Sequence, residues 1–272
     1  MSRVRDIVRQ SRRRCLRALC RFGSRQEDAF RSILVMAPHP DDEVLGCGGL
    51  IARTVAAGGD VAVVVLSRGE RSHASCCDLS GEAIGQRRVA LAAEAAGRLS
   101  LPQERLIFLD WPDGQIAGNG PKEQDRRVDE LAGWIVRLRP EAVFAPHPFE
   151  GWVDHEAAER LTRTAIEGSG VSCRLFHYCV WFWFSMPLRR ALQIDWRRAR
   201  LLDIADVYDR KRAAMDAYLE PCAPCGNPWS GVLPPELLRT FRCRKELFFE
   251  AAGTGGSQLA GGVEIEESVA TS

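Results

Sequence analysis

The stretch Ile33-Leu34-Val35-Met36-Ala37-Pro38-His39-Pro40-Asp41-Asp42-Glu43 decides the reading of this chain. Its first five residues are an apolar run of the kind a buried strand uses, and the acidic residues after the prolines read as a turn that opens a helix. A histidine and three carboxylates therefore stand where a strand ends. In open α/β sheets that edge binds ligands, because the loops leaving the carboxyl ends of the strands line the crevice between helices. A catalytic metal is the first chemistry to expect there.

Outward from that stretch the same alternation repeats. Residues 33–37, 61–66, 106–109 and 142–145 are predicted strands, and 44–57, 82–99, 124–138 and 154–167 are predicted helices. Apolar runs alternating with segments of helical period are the signature of βαβ units. The fold class is α/β, a three-layer Rossmann-like arrangement with a mostly parallel sheet. The aromatic run 175–184 reads as strand-like, 205–219 as a helix, 220–235 as a Pro- and Gly-rich surface loop, and 246–250 as an edge strand. Residues 31–250 read as one domain between a basic extension, 1–30, and a Gly/Ser/Glu-rich tail, 251–272, that has little to bury and is expected to be disordered.

With 272 residues and 46% hydrophobic side chains, the chain can bury a sizeable core. A net charge of +1 conceals eight arginines between Arg3 and Arg21. That opening lacks the apolar centre of a signal peptide, and no stretch reaches the roughly 18 apolar residues that span a bilayer. A cytoplasmic location is expected, with no nucleic-acid partner. The opening has two readings: a basic helix that makes peripheral contact with an anionic membrane, or a solvated extension, which the composition favours. The oligomeric state is open. The ten cysteines are scattered and expected to be reduced. Cys222-Ala-Pro-Cys225 is a lone C-x-x-C whose third ligand for a structural zinc would be Cys243. Incidental cysteines in a proline-rich loop are the simpler reading.

Four predicted strand ends carry polar groups: His39 to Glu43, Ser67 to Glu70, Asp110 to Gly114, and His147 followed by Asp154-His155. A catalytic zinc takes three protein ligands and leaves one position open. His39 and Asp42 are three apart across a turn that Pro40 stiffens, and His155 can supply the third ligand. Asp41 then points elsewhere and is free to act as general base on water. A capping role for Asp41 is the plain structural alternative. Gly46-Cys47-Gly48-Gly49 follows the acidic run rather than the strand, so close helix packing explains it better than phosphate binding. A nucleotide-binding reading is disfavoured for the same reason.

The run Ala37 to Glu43, together with Pro146-His147-Pro148-Phe149-Glu150-Gly151-Trp152-Val153-Asp154-His155, resembles the PIG-L/LmbE family of zinc-dependent N-deacetylases. The resemblance extends from about Ser32 to Phe249. It implies removal of an acetyl group from an N-acetylglucosamine-type sugar, Zn2+ on His39, Asp42 and His155, and Asp41 as base. It also implies substrate contacts from Arg88, with Arg87 as competitor, and from Asp113. Relatives usually carry a further histidine where Trp152 stands, and a late histidine where Tyr218 stands. His147, with His177 as the other candidate, is expected to supply the missing catalytic donor. The alternative is a catalytically impaired zinc-containing sugar-binding or regulatory domain. The aromatics Trp181 to Phe184 are candidates for sugar or lipid contact, with alternating strand burial as the plainer account.

Overall fold

A computed structural model describes residues 25–26, 30–186, 190 and 192–253. Its strands are β1 (Arg25–Gln26), β2 (Ser32–Ala37), β3 (Asp60–Ser67), β4 (Leu106–Trp111), β5 (Ala142–Pro146), β6 (Arg174–Tyr178), β7 (Ala199–Asp203) and β8 (Lys245–Glu250). Its helices are α1 (Asp42–Ala56), α2 (Gly81–Arg98), α3 (Pro121–Leu138), α4 (Val153–Ser169), α5 (Phe182–Ser185), α6 (Tyr208–Leu219) and α7 (Pro235–Phe241). The strands form one sheet in the order β1-β7-β8-β6-β5-β2-β3-β4. Only β8 runs antiparallel to its neighbours.

The core strands are buried on both faces, which is why they read as unbroken apolar runs rather than alternating ones. In β2, Ile33, Val35 and Ala37 pack toward α1, α2 and α6, while Leu34 and Met36 pack toward α3 and α4. These are the three expected layers. β2 sits between β3 and β5, with register pairs such as Val35↔Val63 and Val35↔Phe144. From β2 the chain fills one side of the sheet with β3 and β4, then crosses to β5 on the other. That reversal opens a crevice between the loops after β2 and β5, the usual ligand position in such sheets.

The glycines of α1 admit close neighbours. A Cβ on Gly46 would lie 2.4 Å from the Tyr178 ring, and one on Gly49 would lie 2.5 Å from Ile204. Two expectations change. The aromatic run 175–184 is a strand only to Tyr178, because Glu150 accepts the backbone N–H groups of Val180, Trp181 and Phe182 and bends the chain into α5. The segment 246–250 is not an edge: β7, too short and too charged to stand out in the sequence, covers it.

Phe30 packs edge-on against Phe144 and Phe176, and Ala251 N donates to Leu175 O at 2.8 Å, so packed structure runs from Phe30 to Ala251. The basic-helix reading falls on residues 1–24, outside the described residues, as does the tail from 254. Among the described residues, no helix is long and apolar enough to cross a membrane.

Candidate metal centre and active-site cleft

The loops after β2, β3, β4, β5 and β6, with the loop between α6 and α7, converge on a cleft of about 590 Å³ at the crevice, lined by His39, Asp41, Asp42, Arg88, Asp113 and His155 among others. The β2–α1 turn supplies the first group. Pro38 and Pro40 limit its backbone, and Asp41 takes a left-handed conformation, φ 115°, before α1 begins at Asp42. The carboxylate of Asp42 turns back over the turn, accepting from His39 N at 3.0 Å and facing His39 Nδ1 at 3.3 Å through the same oxygen. His155, in the first turn of α4, brings Nε2 to 3.3 Å from that oxygen. His39, Asp42 and His155 thus present one donor atom each, all within 4.8 Å of one another.

The outer nitrogen of each imidazole meets a carboxylate. Glu150, fully buried, places Oε2 3.4 Å from His155 Nδ1. His39 Nε2 lies 3.2 Å from Asp113 Oδ1 and 3.3 Å from Asp154 Oδ2. Asp154 is itself fixed by the amides of Gly114 at 2.7 Å and Ile116 at 3.1 Å. Carboxylates behind ligating histidines set ring orientation and raise basicity. Glu150 and Asp154 have no assigned role at the level of sequence. Their signal was position, one within the β5–α4 loop and the other adjacent to His155.

The field of the centre seeks a cation. Burial alone lowers the affinity of His155 for a proton, but Asp42 and Glu150 outweigh it and push its pKa up to about 9. His39 behaves likewise: burial opposes charge, and Asp113, Asp154 and Asp42 carry it well above the usual histidine value. For Asp42, burial is overcome by His155 and His39, which hold the carboxyl well below its usual range. The carboxylates that favour positive charge on the two rings would equally favour a metal ion among them.

Asp41 is not one of the three donors. Its Oδ2 faces the Arg88 guanidinium at 3.3 Å, and the buried Ser230 hydroxyl lies beside it. Burial pushes the Asp41 carboxyl up to about 7, opposed by Arg88 and assisted by Asp42. The Asp41 backbone is held separately, its N–H donating to Glu43 Oε2 at 2.9 Å while Tyr218 donates to Glu43 Oε1 at 2.6 Å. The hydroxyl of Tyr218 is thus committed to the turn and buried beneath the cleft.

Arg88, not the exposed Arg87, reaches the centre. It donates to Gly69 O at 3.1 Å and to Pro40 O, tying the loops after β2 and β3 together while facing Asp41. Asp113 lines the cleft, yet one of its oxygens is occupied by His39 and the other accepts from Arg71 N at 2.9 Å. The expectation for His147 is corrected. Its ring is buried against Phe149, Phe182, Phe249 and His177, it accepts from Phe149 N at 3.0 Å, and it does not line the cleft. Burial drives its pKa well below the usual value. His177 is likewise buried, 3.0 Å from Glu159. Trp152 opens α4 at the mouth of the cleft and packs on Trp181 with ring centroids 4.9 Å apart.

Residues 34–166 match the PIG-L family, described as GlcNAc-PI de-N-acetylase. A 1D-myo-inositol 2-acetamido-2-deoxy-alpha-D-glucopyranoside deacetylase of Saccharomonospora viridis is 31% identical over 164 residues, which take in 53% of this chain and 61% of that protein. The chain spans about three fifths of that curated relative's length. Among solved structures, the conserved protein TT1542 of Thermus thermophilus is 32% identical with a TM-score of 0.51, covering 69% of this chain and 78% of that one. GalB of Pseudomonas putida KT2440, described as a 4-carboxy-2-hydroxymuconate hydratase, is 26% identical with a TM-score of 0.54, covering 69% and 78%. The matched region holds the β2–α1 turn, the β5–α4 loop and every donor of the centre, and residues 34–166 belong to the PIG-L family.

Proposed function

We propose that the protein is a zinc-dependent hydrolase that removes the acetyl group from an N-acetylglucosamine-type amino sugar carried on a glycolipid, a glycoside or a related conjugate. One observation carries the reading. A tetrahedral zinc held by nitrogen and oxygen at about 2.0–2.1 Å has donor–donor edges of about 3.3 Å. The carboxylate oxygen of Asp42 stands 3.3 Å from His39 Nδ1 and 3.3 Å from His155 Nε2. Two imidazoles and one carboxylate suit zinc and leave a position for water. The Saccharomonospora relative, named for deacetylation of an N-acetylated glucosaminide, supports the substrate class.

When bound, zinc acidifies water to a pKa of about 7 and polarises a carbonyl. The protein's own groups do the rest. Asp41 lies beside the donor set but outside it, so it takes the proton of the attacking water and returns one to the departing amine. Arg88 and the Tyr218–Glu43 pair keep its carboxylate aimed. Trp152 and Trp181 offer ring faces against which a sugar stacks. The acetamide and water become acetate and a free ammonium sugar, with one water consumed.

The GalB relative favours a second reading, addition of water to a carbon–carbon double bond by the same water-activating groups. The two differ in what leaves. We expect purified zinc-loaded protein, given a panel of N-acetylglucosamine conjugates, to release acetate and free amine in equal amounts. Tight binding without release would favour the catalytically silent sugar-binding domain. Neither binding nor release on any N-acetylated sugar would overturn the assignment.

A further inference from the structure

Beside the cleft, a second cluster of donor atoms has no part in the chemistry above. His73, Cys76 and Cys77 lie in the segment between β3 and α2, and Cys225 comes from the loop between α6 and α7. All four offer a donor atom within 4.8 Å of the others. His73 Nδ1 is 3.3 Å from Cys76 Sγ, 3.8 Å from Cys77 Sγ and 3.5 Å from Cys225 Sγ, and the sulfurs of Cys76 and Cys225 are 3.5 Å apart.

These four spacings lie within about 0.3 Å of the edges of a metal tetrahedron. Zinc bound at about 2.3 Å to sulfur and about 2.0–2.1 Å to nitrogen requires sulfur–sulfur edges of about 3.8 Å and nitrogen–sulfur edges of about 3.6 Å. Three thiolates and one imidazole form a closed structural set, soft enough to select zinc over harder ions. The other nitrogen of the ring is oriented as ligating histidines require, Nε2 lying 3.0 Å from Pro228 O and 3.2 Å from Trp229 O. Cys222, the expected partner of Cys225, instead turns its thiol to Glu220 O, and Cys243 is not in the cluster.

We propose that His73, Cys76, Cys77 and Cys225 bind a second, structural zinc ion that staples the loop from Pro221 to Pro234 onto the segment after β3. The staple matters because of what both segments carry. Arg71 and Ser72 on one, and Ser230 to Leu233 on the other, line the active-site cleft, and Ser72 Oγ donates to Trp229 O at 3.2 Å across the join. The loop has no regular secondary structure of its own, so a metal cross-link to a distant segment is what gives that wall a fixed shape.

The test is zinc stoichiometry together with cobalt spectroscopy on the full chain. Wild-type protein should hold two zinc equivalents, falling to one in both Cys225→Ser and His39→Ala. The cobalt-substituted protein should show a thiolate-to-cobalt charge-transfer band that His39→Ala keeps and Cys225→Ser loses. Where Cys225→Ser does not fold, the band in wild type and in His39→Ala decides the matter alone. A zinc content that Cys225→Ser leaves unchanged, a cobalt spectrum without a thiolate band, or a Cys76–Cys225 disulfide in protein purified without oxidant would each overturn the proposal, whereas a single zinc equivalent that Cys225→Ser removes and His39→Ala keeps would uphold it and count against the zinc assigned to the cleft. None of these readouts depends on the reaction assigned to the cleft.

Discussion

Asp41 and Asp42 are adjacent and chemically identical, and the backbone sends them to different partners. The positive φ of Asp41, in a region costing roughly 1–3 kcal/mol for a residue other than glycine, turns its side chain toward Arg88 while Asp42 joins the two histidines. Strain of that size is tolerated where surrounding bonds fix it, and here Glu43 and Tyr218 do so. Tyr218→Phe removes the donor to a buried carboxylate. It should lower kcat severalfold with zinc content unchanged and cost about 1–3 kcal/mol of stability. Steady-state kinetics and urea unfolding on the same preparation read both, and an unaltered kcat would contradict the positioning role.

At the scale of elements, the site depends on how α1 is anchored. A buried pair, Lys211 and Glu246, is built against this helix: Glu246 accepts from Gly49 N at 2.7 Å and Leu50 N at 2.8 Å, and Lys211 donates to Leu45 O at 3.1 Å. Gly48 leaves room for the lysine stem, 3.2 Å from where its Cβ would be. Lys211→Met strands a buried carboxylate and should cost roughly 3–5 kcal/mol; a urea midpoint shift worth less than about 1 kcal/mol, on the order of an exposed ion pair, would show that the pair is dispensable. The strands and helices around β2, β3 and β5 were legible in the sequence, because fully buried parallel strands read as continuous apolar runs bounded by turn residues. β7 was not legible, since Ala-Arg-Leu-Leu-Asp carries neither period clearly. The bend after Tyr178 was not legible either, since it depends on Glu150, thirty residues away.

Across the whole molecule, the convergence of His39, Asp42 and His155 could be read from sequence because each sits at a strand end that topology brings to one crevice. The groups behind them could not. Asp113, Asp154 and Glu150 meet the histidines only through sheet order, and Cys225 meets Cys76 across 149 positions. His147 was misplaced for a related reason: proximity in sequence to His155 says nothing of the aromatic shell that encloses it. Its burial sets a pH dependence of stability. The unfolded chain takes up this proton below about pH 6.5 while the folded protein does not, so protons favour unfolding and stability falls as pH drops. Urea unfolding of the wild type and of His147→Asn between pH 7 and 5 should show this contribution as the difference between the two slopes, up to about 1.4 kcal/mol per pH unit, because Asp41, His39 and His155 act in the opposite sense over the same range in both proteins. A slope unchanged by that substitution would contradict a neutral buried ring.

The account rests above all on the separation of metal holding from proton transfer within one turn. The most direct measurement is zinc content and acetate release for Asp41→Asn and Asp42→Asn side by side. Asp41→Asn should keep its zinc in the cleft and lose roughly two to four powers of ten in kcat, the usual contribution of a general base. Asp42→Asn should lose that zinc and the activity with it. Loss of zinc in Asp41→Asn, or full acetate release by that variant, would contradict the account.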